Sequence, residues 1–446
     1  MTSLLSNLVA LGRGYNTLPK FQKMLSNNGE SRLKQIRIVP AGTATTAYFD
    51  YSAKLADLAA ESPVWPPRTD DLAQIALDIE IERVGSVWSR LGPRRVRLEF
   101  LDYPGEWLLD LPLLSRSYNQ WSDETLSALR GLPQGNACVL FLDFLNTIES
   151  QDIPSDVLIR RGHALYVSAL QECRTKLGLR HLQPGRFLCP GPHGDAPYLW
   201  FFPLSHMLER PASGTTGALL RDRYEAYKHQ VKTEFFDNHF TAFNRQIVLV
   251  DVLGALHAGR NAFEDTRRAL ADISNSMSYG SDKSSMIEIG AAALRAGKAI
   301  LSSGGLRKIE RIAFVATKAD HVPALRRKNL ENLLRDLVER AGGEQLFKGR
   351  PISFHTVAAV LSTQDDVVEV DGRPVEVVRG QLLGEDRDKA FFPGDVPSGR
   401  PPESFWASPF FELPCFKPPR IDPSGKFGIP HLGLDDVMVC LLKDVL

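Results

Sequence analysis

Two short motifs in this chain carry side chains that suit a nucleotide site, and each directly follows an apolar run. The first is residues 102–105 (DYPG), which come after residues 94–101 (RRVRLEFL). An aspartate at the end of a strand can hold Mg²⁺ through water, and a glycine three residues later lets a backbone N–H approach a γ-phosphate. Asp102 and Gly105 are therefore candidate nucleotide-binding residues, and Asp102 is also a candidate metal ligand.

The second motif is residues 317–320 (TKAD), which follow residues 309–316 (IERIAFVA). The carboxylate of Asp320 can accept both N–H groups on the edge of guanine, and the stem of Lys318 can lie across the base plane. Adenine lacks that pair of donors, so this aspartate would select guanine. The alternative is that Asp320 is the N-cap of the helix that follows, a position that aspartate favours.

Each motif is weak alone, and the order of the motifs is what points to a GTP-binding domain. A D-x-x-G after one strand, a middle strand at residues 246–253 and a [N/T]-K-x-D after the next strand follow the order found in such domains. A second D-x-x-G at residues 251–254 competes with the first. Either of the two is also compatible with an ordinary strand-to-loop turn.

Three further positions complete the candidate site. Ala358 and Ala359 fall in the next predicted strand, residues 353–360, where GTP-binding domains place a backbone N–H on the guanine O6. Thr69 precedes a predicted strand at residues 72–81, where a switch threonine would contact Mg²⁺ and the γ-phosphate. The alternative for Thr69 is an ordinary residue at the start of that strand.

The phosphate cradle of a P-loop, G-x-x-x-x-G-K-[ST], does not occur in these 446 residues. Gly-Lys occurs at residues 297–298 and 425–426, and neither pair is followed by serine or threonine. Without the cradle, a pyrophosphate lacks its ring of backbone N–H donors and its lysine.

The elements that must position these residues alternate between strands and helices after residue 246, which favours an α/β sheet. Predicted strands at residues 72–81 and 94–101 would extend the sheet as an antiparallel pair. Residues 108–240 carry mostly helical patterns and interrupt the alternation, so we expect a large helical insertion. A polar hairpin is predicted to turn at residues 371–372.

Charge and composition exclude several classes of function. Lys+Arg and Asp+Glu are equal at 53 each, which gives no basic field to attract nucleic acid or anionic lipid. No segment has the roughly 20 consecutive apolar residues that a membrane helix needs. Five scattered cysteines without a C-x-x-C fit a reducing compartment. We therefore predict a cytoplasmic protein with no transmembrane segment and no nucleic-acid partner.

Other groups of residues carry weaker predictions. His181, Cys189 and His193 crowd one loop, but a metal site there would need a fourth ligand and tetrahedral convergence. No G-x-S-x-G occurs, so a serine hydrolase has no support. The aromatic residues between 391 and 416 are expected to pack over the sheet, with a partner surface as the alternative.

Beyond these patterns, the chain resembles the YcjX-like family of bacterial P-loop proteins, described as stress proteins with GTPase features, over nearly its whole length. The most specific segments are residues 102–112 (DYPGEWLLDLP) and 314–321 (FVATKADH). Residues 183–187 (QPGRF), 238–252 (NHFTAFNRQIVLVDV) and 393–397 (PGDVP) add to them. The resemblance implies a Ras-like α/β GTPase sheet that binds GTP or GDP with Mg²⁺, hydrolyses GTP slowly and acts as a stress-related switch. The protein partner of such a switch is unknown.

The same resemblance implies roles for single residues. Asp102 would serve Mg²⁺ and Gly105 the γ-phosphate, while Lys318 and Asp320 would read guanine. Thr317 stands where many GTPases have asparagine and would tie this loop to the P-loop through its hydroxyl. Glu106 follows Gly105, where many GTPases place a water-orienting glutamine. A carboxylate there can orient or deprotonate water, but it also repels the γ-phosphate.

Residues 2–9 (TSLLSNLV) are similar to the helix that follows the P-loop in that family. We therefore expect the sequence to begin just after the loop, through a start codon assigned too far downstream or a truncated reading frame. The first strand of the sheet would then be missing and nucleotide binding impaired. If the loop is truly lost, the alternative function is a non-enzymatic interaction scaffold with a degenerate GTPase fold.

These considerations divide the chain into four parts. Residues 1–107 and 241–364 are predicted to form the two parts of a GTPase-like domain. Residues 108–240 are the helical insertion between them. Residues 365–446 are a C-terminal extension that packs on the core.

Overall fold

A computed structural model describes most of the chain. The described residues are 1–39, 41, 46–83, 92–133, 135–191, 194, 196–205, 211–237, 239, 243–278, 309–340, 351–407 and 411–446. Within them the strands are β1 (Ser26–Asn27), β2 (Glu30–Ser31), β3 (Leu33–Val39), β4 (Ala47–Tyr48), β5 (Ala73–Ile81), β6 (Arg94–Asp102), β7 (Arg245–Val250), β8 (Arg311–Ala316), β9 (Ile352–Thr356), β10 (Gln364–Val370), β11 (Arg373–Gln381) and β12 (Asp388–Phe391).

The α-helices of the same residues are distributed along the whole chain. They are α1 (Thr2–Gly12), α2 (Pro19–Met24), α3 (Tyr51–Ala59), α4 (Tyr118–Arg130), α5 (Asn136–Leu145), α6 (Asp156–Lys176), α7 (Thr216–Gln230), α8 (Val252–His257), α9 (Arg260–Ser278), α10 (Arg327–Val338), α11 (Glu403–Ala407) and α12 (Leu434–Leu442). A 3₁₀ helix spans Gly105–Ser115 and is called the 105–115 segment below. The chain is thus a mixed α/β protein.

The sheet that carries the D-x-x-G motif is built around β5. β3 and β6 pair with β5 in antiparallel fashion on either side, and β4 pairs with its first residues in parallel. The register of β5 and β6 runs from Ala73 opposite Asp102 to Ile81 opposite Arg94, which confirms the predicted antiparallel pair. This register brings the start of β5 beside the end of β6, where the D-x-x-G motif begins.

The second sheet is parallel, with the order β7-β8-β9. Its middle strand, β8, is almost wholly buried, as expected of a strand covered on both faces. Helix α10 covers it through Leu330, Leu333, Leu334 and Leu337, which are all buried and follow the spacing of one helical face. The carboxyl ends of the three strands lie at one edge of the sheet, so the loops at residues 251, 317–320 and 357–363 meet there.

The edge strands of these two sheets, β6 and β7, line the same cavities. In the part of the chain that the structure describes, β6 pairs with β5 alone and β7 with β8 alone. Leu101 and Asp102 of β6 and Ile247 and Leu249 of β7 line two cavities, of about 410 and 590 Å³. Leu249, on the edge strand β7, is 67% exposed, so its side chain is open to this space.

A hydrogen bond joins the loop after β6 to the strand β7 at this place. Gln246 Nε2 donates to the hydroxyl of Tyr103 at 2.7 Å. Burial raises the pKa of Tyr103 to about 12, so the phenol stays neutral and keeps its hydrogen-bonding capacity. The loop that follows β6 is therefore tied to the start of β7.

Residues 117–237, called the helical segment below, have a hydrophobic core of their own. The core is rich in aromatic rings: Trp121 stacks on Tyr224 with ring centroids 5.2 Å apart, and Phe201 meets both rings edge-on. Such aromatic pairs add to the free energy gained from burial alone. A separate core of this kind is compatible with the predicted insertion, although the domain boundaries themselves stay a prediction.

The terminal parts of the chain pack together on the other side of the sheets. Helix α1 is buried on almost every face, and Asn7 donates to the Ile429 carbonyl at 2.9 Å. The carboxylate of Asp435 at the start of α12 accepts the backbone N–H groups of Lys20 and Phe21. The hairpin of β10 and β11 turns at Asp371 and Gly372, as predicted.

Candidate functional site

The D-x-x-G motif starts at the last residue of β6, beside the beginning of β5. The hydroxyl of Thr69 donates to Asp102 Oδ2 at 2.5 Å. The two residues predicted to serve a metal ion thus lie together, although 33 positions separate them in the sequence. A hydroxyl and a carboxylate are both hard oxygen donors, the chemistry that Mg²⁺ prefers, so this pair fits the ion.

Gly105 and Glu106 open the 105–115 segment and line the smaller cavity together with Asp102. Nothing lies within 4 Å of the position that a Cβ would take at Gly105, so the backbone there is open to approach. The carboxylate of Glu106 is bound by two guanidinium groups, Arg174 at 2.7 Å and Arg68 at 3.4 Å. Neither arginine was predicted, because each is distant from Glu106 in sequence and no motif marks it.

The 105–115 segment is held on its far side by the helical segment. Asp110 is fully buried and accepts bonds from the Tyr227 hydroxyl at 2.6 Å and the Gly185 N–H at 2.6 Å. Burial raises the pKa of Asp110 to about 6, although these bonds favour the carboxylate. Trp107 is buried as well and donates from its indole N–H to the Cys189 carbonyl at 2.8 Å. The segment that carries Glu106 is therefore anchored to the helical segment by buried polar contacts.

The T-K-A-D motif follows β8 and lies at the edge where the parallel strands end. Lys318 adopts a left-handed backbone conformation, with φ at +60°, which turns the chain sharply after the strand. Its ammonium contacts Asp251 Oδ2 at 2.9 Å. The Thr317 hydroxyl bonds the Val250 carbonyl at 3.5 Å and so ties this loop to the neighbouring strand β7.

Asp320 is 2% exposed, and its carboxylate is oriented by Ser362 in the loop after β9. The backbone N–H and the hydroxyl of Ser362 both donate to Oδ2, at 2.8 and 2.7 Å. The alternative of a helix N-cap is not what the structure has at Asp320, because both bonds come from another loop. Ser362 was missed by the sequence analysis, since only the fold brings these two loops together.

Ala358 and Ala359 lie just beyond β9 in that same loop. The N–H of Ala358 donates to the Leu432 carbonyl at 3.1 Å, and the N–H of Leu432 donates back at 2.8 Å. The bridge to Leu432 fixes the backbone of the loop and leaves Ala359 exposed. Residues 357–360 therefore belong to a loop, whereas the sequence predicts a strand through residue 360.

The larger cavity collects most of the predicted residues. Its walls include six of them: Asp102, Thr317, Lys318, Asp320, Ala358 and Ala359. Its volume, about 590 Å³, lies within the range of small-molecule sites. Met1, the N-cap residue of α1, and Leu4, in its first turn, line it too, so the positive end of a helix dipole opens onto the same space. Thr69, Gly105 and Glu106 adjoin it through Asp102.

Two alternative sites considered from the sequence are the second D-x-x-G, at residues 251–254, and the loop with His181 and Cys189. The second D-x-x-G is a helix cap in this structure, because Asp251 Oδ1 accepts the Gly254 N–H at 3.0 Å at the start of α8. The metal site at His181 and Cys189 is not formed by the residues that the structure describes, and His193 lies outside them. His181 instead contacts Asp272 at 2.9 Å.

None of the helices within the described ranges is both long and apolar enough to cross a membrane.

The chain is similar in sequence to a known protein family and to named proteins. The model of the YcjX-like family, DUF463, matches residues 1–446. A protein named Ras-like GTPase YcjX from Escherichia coli (strain K12) is 30% identical over 431 residues, which cover 95% of this chain and 88% of that protein. A protein of the same name from Shewanella oneidensis is 29% identical over 442 residues, covering 97% of this chain and 87% of that protein.

Proposed function

Because the chain belongs to the YcjX-like family, we propose that it binds the guanine nucleotides GTP and GDP, hydrolyses GTP slowly and acts as a stress-related molecular switch. The observation that carries the proposal is the larger cavity, where six predicted residues from three separate stretches of the chain line one space. The names of the two relatives, both called Ras-like GTPases, support the same class of function. We assign the fold to the Ras-like type, with the helical segment inserted between β6 and β7.

The base is assigned to the end of the cavity formed by residues 317–320 and 357–362. The carboxylate of Asp320 accepts the two N–H groups on the edge of guanine, and Ser362 holds that carboxylate in place. The stem of Lys318 covers the base plane. The O6 atom is assigned to the N–H of Ala359, because the N–H of Ala358 already donates to Leu432.

The phosphates and Mg²⁺ are assigned to the opposite end, at Asp102. Thr69 and Asp102 would hold the ion, which neutralises charge on the phosphates when it is bound. The open backbone at Gly105 offers its N–H to the terminal phosphate. The first turn of α1 adds the positive end of a helix dipole on the same side.

Hydrolysis is assigned to the smaller cavity, which Glu106 lines and where it can orient a water molecule. The two arginines that bind its carboxylate offset its negative charge beside the phosphates. We also propose that the affinity of these 446 residues for nucleotide is weak, because the sequence contains no G-x-x-x-x-G-K-[ST]. Binding is therefore to be measured up to millimolar nucleotide.

The experiment that tests this function is a comparison of bases with the variant Asp320→Asn. Binding of GDP, ADP and xanthosine diphosphate in the presence of Mg²⁺ is measured by calorimetric titration. The wild-type chain is expected to prefer GDP, and Asp320→Asn is expected to prefer the xanthine nucleotide, because an amide can donate to its O2. A matched control is Asp251→Asn, which changes a carboxylate at the same sheet edge and should leave the preference for guanine over xanthine unchanged.

Two results would reject the proposal. A wild-type chain that binds none of the three nucleotides would favour the non-enzymatic scaffold. An Asp320→Asn variant that still prefers GDP as strongly as the wild type would show that Asp320 does not contact the base.

A further inference from the structure

The proposed function uses the contact between Glu106 and Arg174 of the helical segment only to offset the charge of Glu106. Glu106 is one residue beyond Gly105, and both residues line the smaller cavity. Its partner Arg174 lies in the last turn of α6, on the helical segment, and 68 positions separate the two in the sequence. The helical segment, which has its own hydrophobic core, thus places the charged side chain of Arg174 beside the position assigned to the terminal phosphate.

We propose that Arg174 is the residue that recognises the terminal phosphate of GTP, and that Glu106 holds its guanidinium in the absence of that phosphate. This inference rests on the proposed function, because it concerns the same site. The inference goes beyond the proposed function because it assigns the distinction between GTP and GDP to a residue of the helical segment.

The charges around Glu106 support this assignment. Arg68 pairs with Asp70 at 3.0 Å as well as with Glu106 at 3.4 Å, so it has a second carboxylate nearby. The described ion pair of Arg174 is with Glu106, at 2.7 Å. When Arg174 moves from Glu106 to a phosphate, it therefore exchanges one anionic partner for another and leaves Arg68 beside the carboxylate.

The surroundings of Arg174 also suit an arginine that contacts phosphate. Its side chain is 23% exposed, as is that of Glu106, so their interaction is only partly screened by water. It lines the same cavity as Asp102, Gly105 and Glu106. A planar guanidinium binds a phosphate through two parallel hydrogen bonds as well as it binds a carboxylate.

The body of α6 keeps this arginine in place. Next to Arg174 along the helix, Cys173 is fully buried in the core of the helical segment. On the other side, the anchoring of Asp110 by Tyr227 and Gly185 fixes the 105–115 segment against the same core. The distance between Arg174 and the D-x-x-G loop is therefore set by packed elements on both sides.

The test compares the affinities for GDP and for the non-hydrolysable analogue GTPγS, both with Mg²⁺ and measured by calorimetric titration. Arg174→Ala is expected to weaken GTPγS binding by a factor of about ten to a hundred, the value of one hydrogen bond between charged groups, while GDP binding stays unchanged. Arg174→Lys is expected to weaken GTPγS binding less, because lysine keeps the positive charge but cannot make two parallel hydrogen bonds to the phosphate. Glu106→Gln is expected to strengthen GTPγS binding, since it removes the carboxylate that competes for Arg174.

Arg180→Ala is the matched control, because Arg180 lines the same cavity while its described hydrogen bonds, to Asp265 and Leu182, are made by its backbone. It should change neither affinity. If Arg174→Ala weakens GDP and GTPγS equally, Arg174 only positions the loop and the inference is wrong although the proposed function stands. If Glu106→Gln weakens GTPγS binding, the holding role of Glu106 is wrong. If the wild-type chain binds neither nucleotide, the proposed function fails and the inference fails with it.

Discussion

The hydrogen bond between Tyr227 and Asp110 is predicted to hold the 105–115 segment on the helical segment with a pH-dependent strength. Tyr227 and Asp110 are both fully buried, and the hydroxyl donates to Oδ2 at 2.6 Å. A bond to a buried charged group contributes about 1.5–3 kcal/mol, and a bond between neutral groups about 1 kcal/mol. The substitution Tyr227→Phe should therefore lower the free energy of unfolding by an amount that depends on the charge of Asp110.

The direction of the pH dependence follows from the raised pKa of Asp110. Burial raises this pKa from 3.8 to about 6, so between these values the folded chain binds the proton more tightly than the unfolded chain. The wild-type chain should therefore lose stability as the pH rises through this window, by about 3 kcal/mol for a shift of roughly two pKa units. Loss of the Tyr227 bond raises the pKa of Asp110 further, so the variant should keep losing stability at higher pH. The cost of Tyr227→Phe is expected to be about 1 kcal/mol near pH 5 and about 2–3 kcal/mol near pH 8.

Tyr224→Phe provides the control on the same helix. Tyr224 is equally buried, but its hydroxyl donates to the backbone carbonyls of Arg116 and Leu113 at 3.2 and 3.4 Å, which do not titrate. Its cost should be about 1 kcal/mol at both pH values. The measurement is urea unfolding of both variants and the wild type near pH 5 and pH 8. A cost of Tyr227→Phe that is the same at both pH values would refute the reasoning, because it would mean that Asp110 does not change its charge in this interval.

Two further substitutions test the geometry around the D-x-x-G loop. Gly185→Ala would place a Cβ in overlap with the carbonyl oxygen of Glu106. We therefore expect the free energy of unfolding to fall by about 2 kcal/mol or more, and hydrogen exchange in residues 105–115 to become faster. Unchanged exchange would show that the two loops are not in contact. Thr69→Val removes the hydroxyl that donates to Asp102. The factor by which Mg²⁺ raises the affinity for GDP should therefore fall by about tenfold, as measured by titrations with and without the ion. An unchanged effect of Mg²⁺ would show that Thr69 is not part of the metal site.

The strands nearest the site were predictable because the pattern of apolar residues in each strand matches its burial. In β6, basic and apolar residues alternate, and one face of the strand is more exposed than the other. β8 is mostly apolar and is buried on both faces. The strand β3 was missed, since Lys34, Gln35 and Arg37 interrupt its apolar residues on the exposed side of the sheet.

The motif residues of the site were predictable from spacing, but their partners were not. Thr69, Asp102, Lys318 and Asp320 follow or precede strands, so the ends of those strands place them at the site. The partner residues Arg174 and Ser362 are distant in sequence from the groups they contact, and contacts of that kind depend on how whole elements pack.

The most direct test of the proposed nucleotide site is hydrogen–deuterium exchange of the wild-type chain with millimolar GDP and Mg²⁺, compared with ADP at the same concentration. Binding as proposed predicts slower exchange in residues 316–321 and 357–362 with GDP and no change there with ADP. Protection confined to other parts of the chain, or equal protection by both nucleotides, would contradict the account of a guanine site built by Lys318, Asp320 and Ser362.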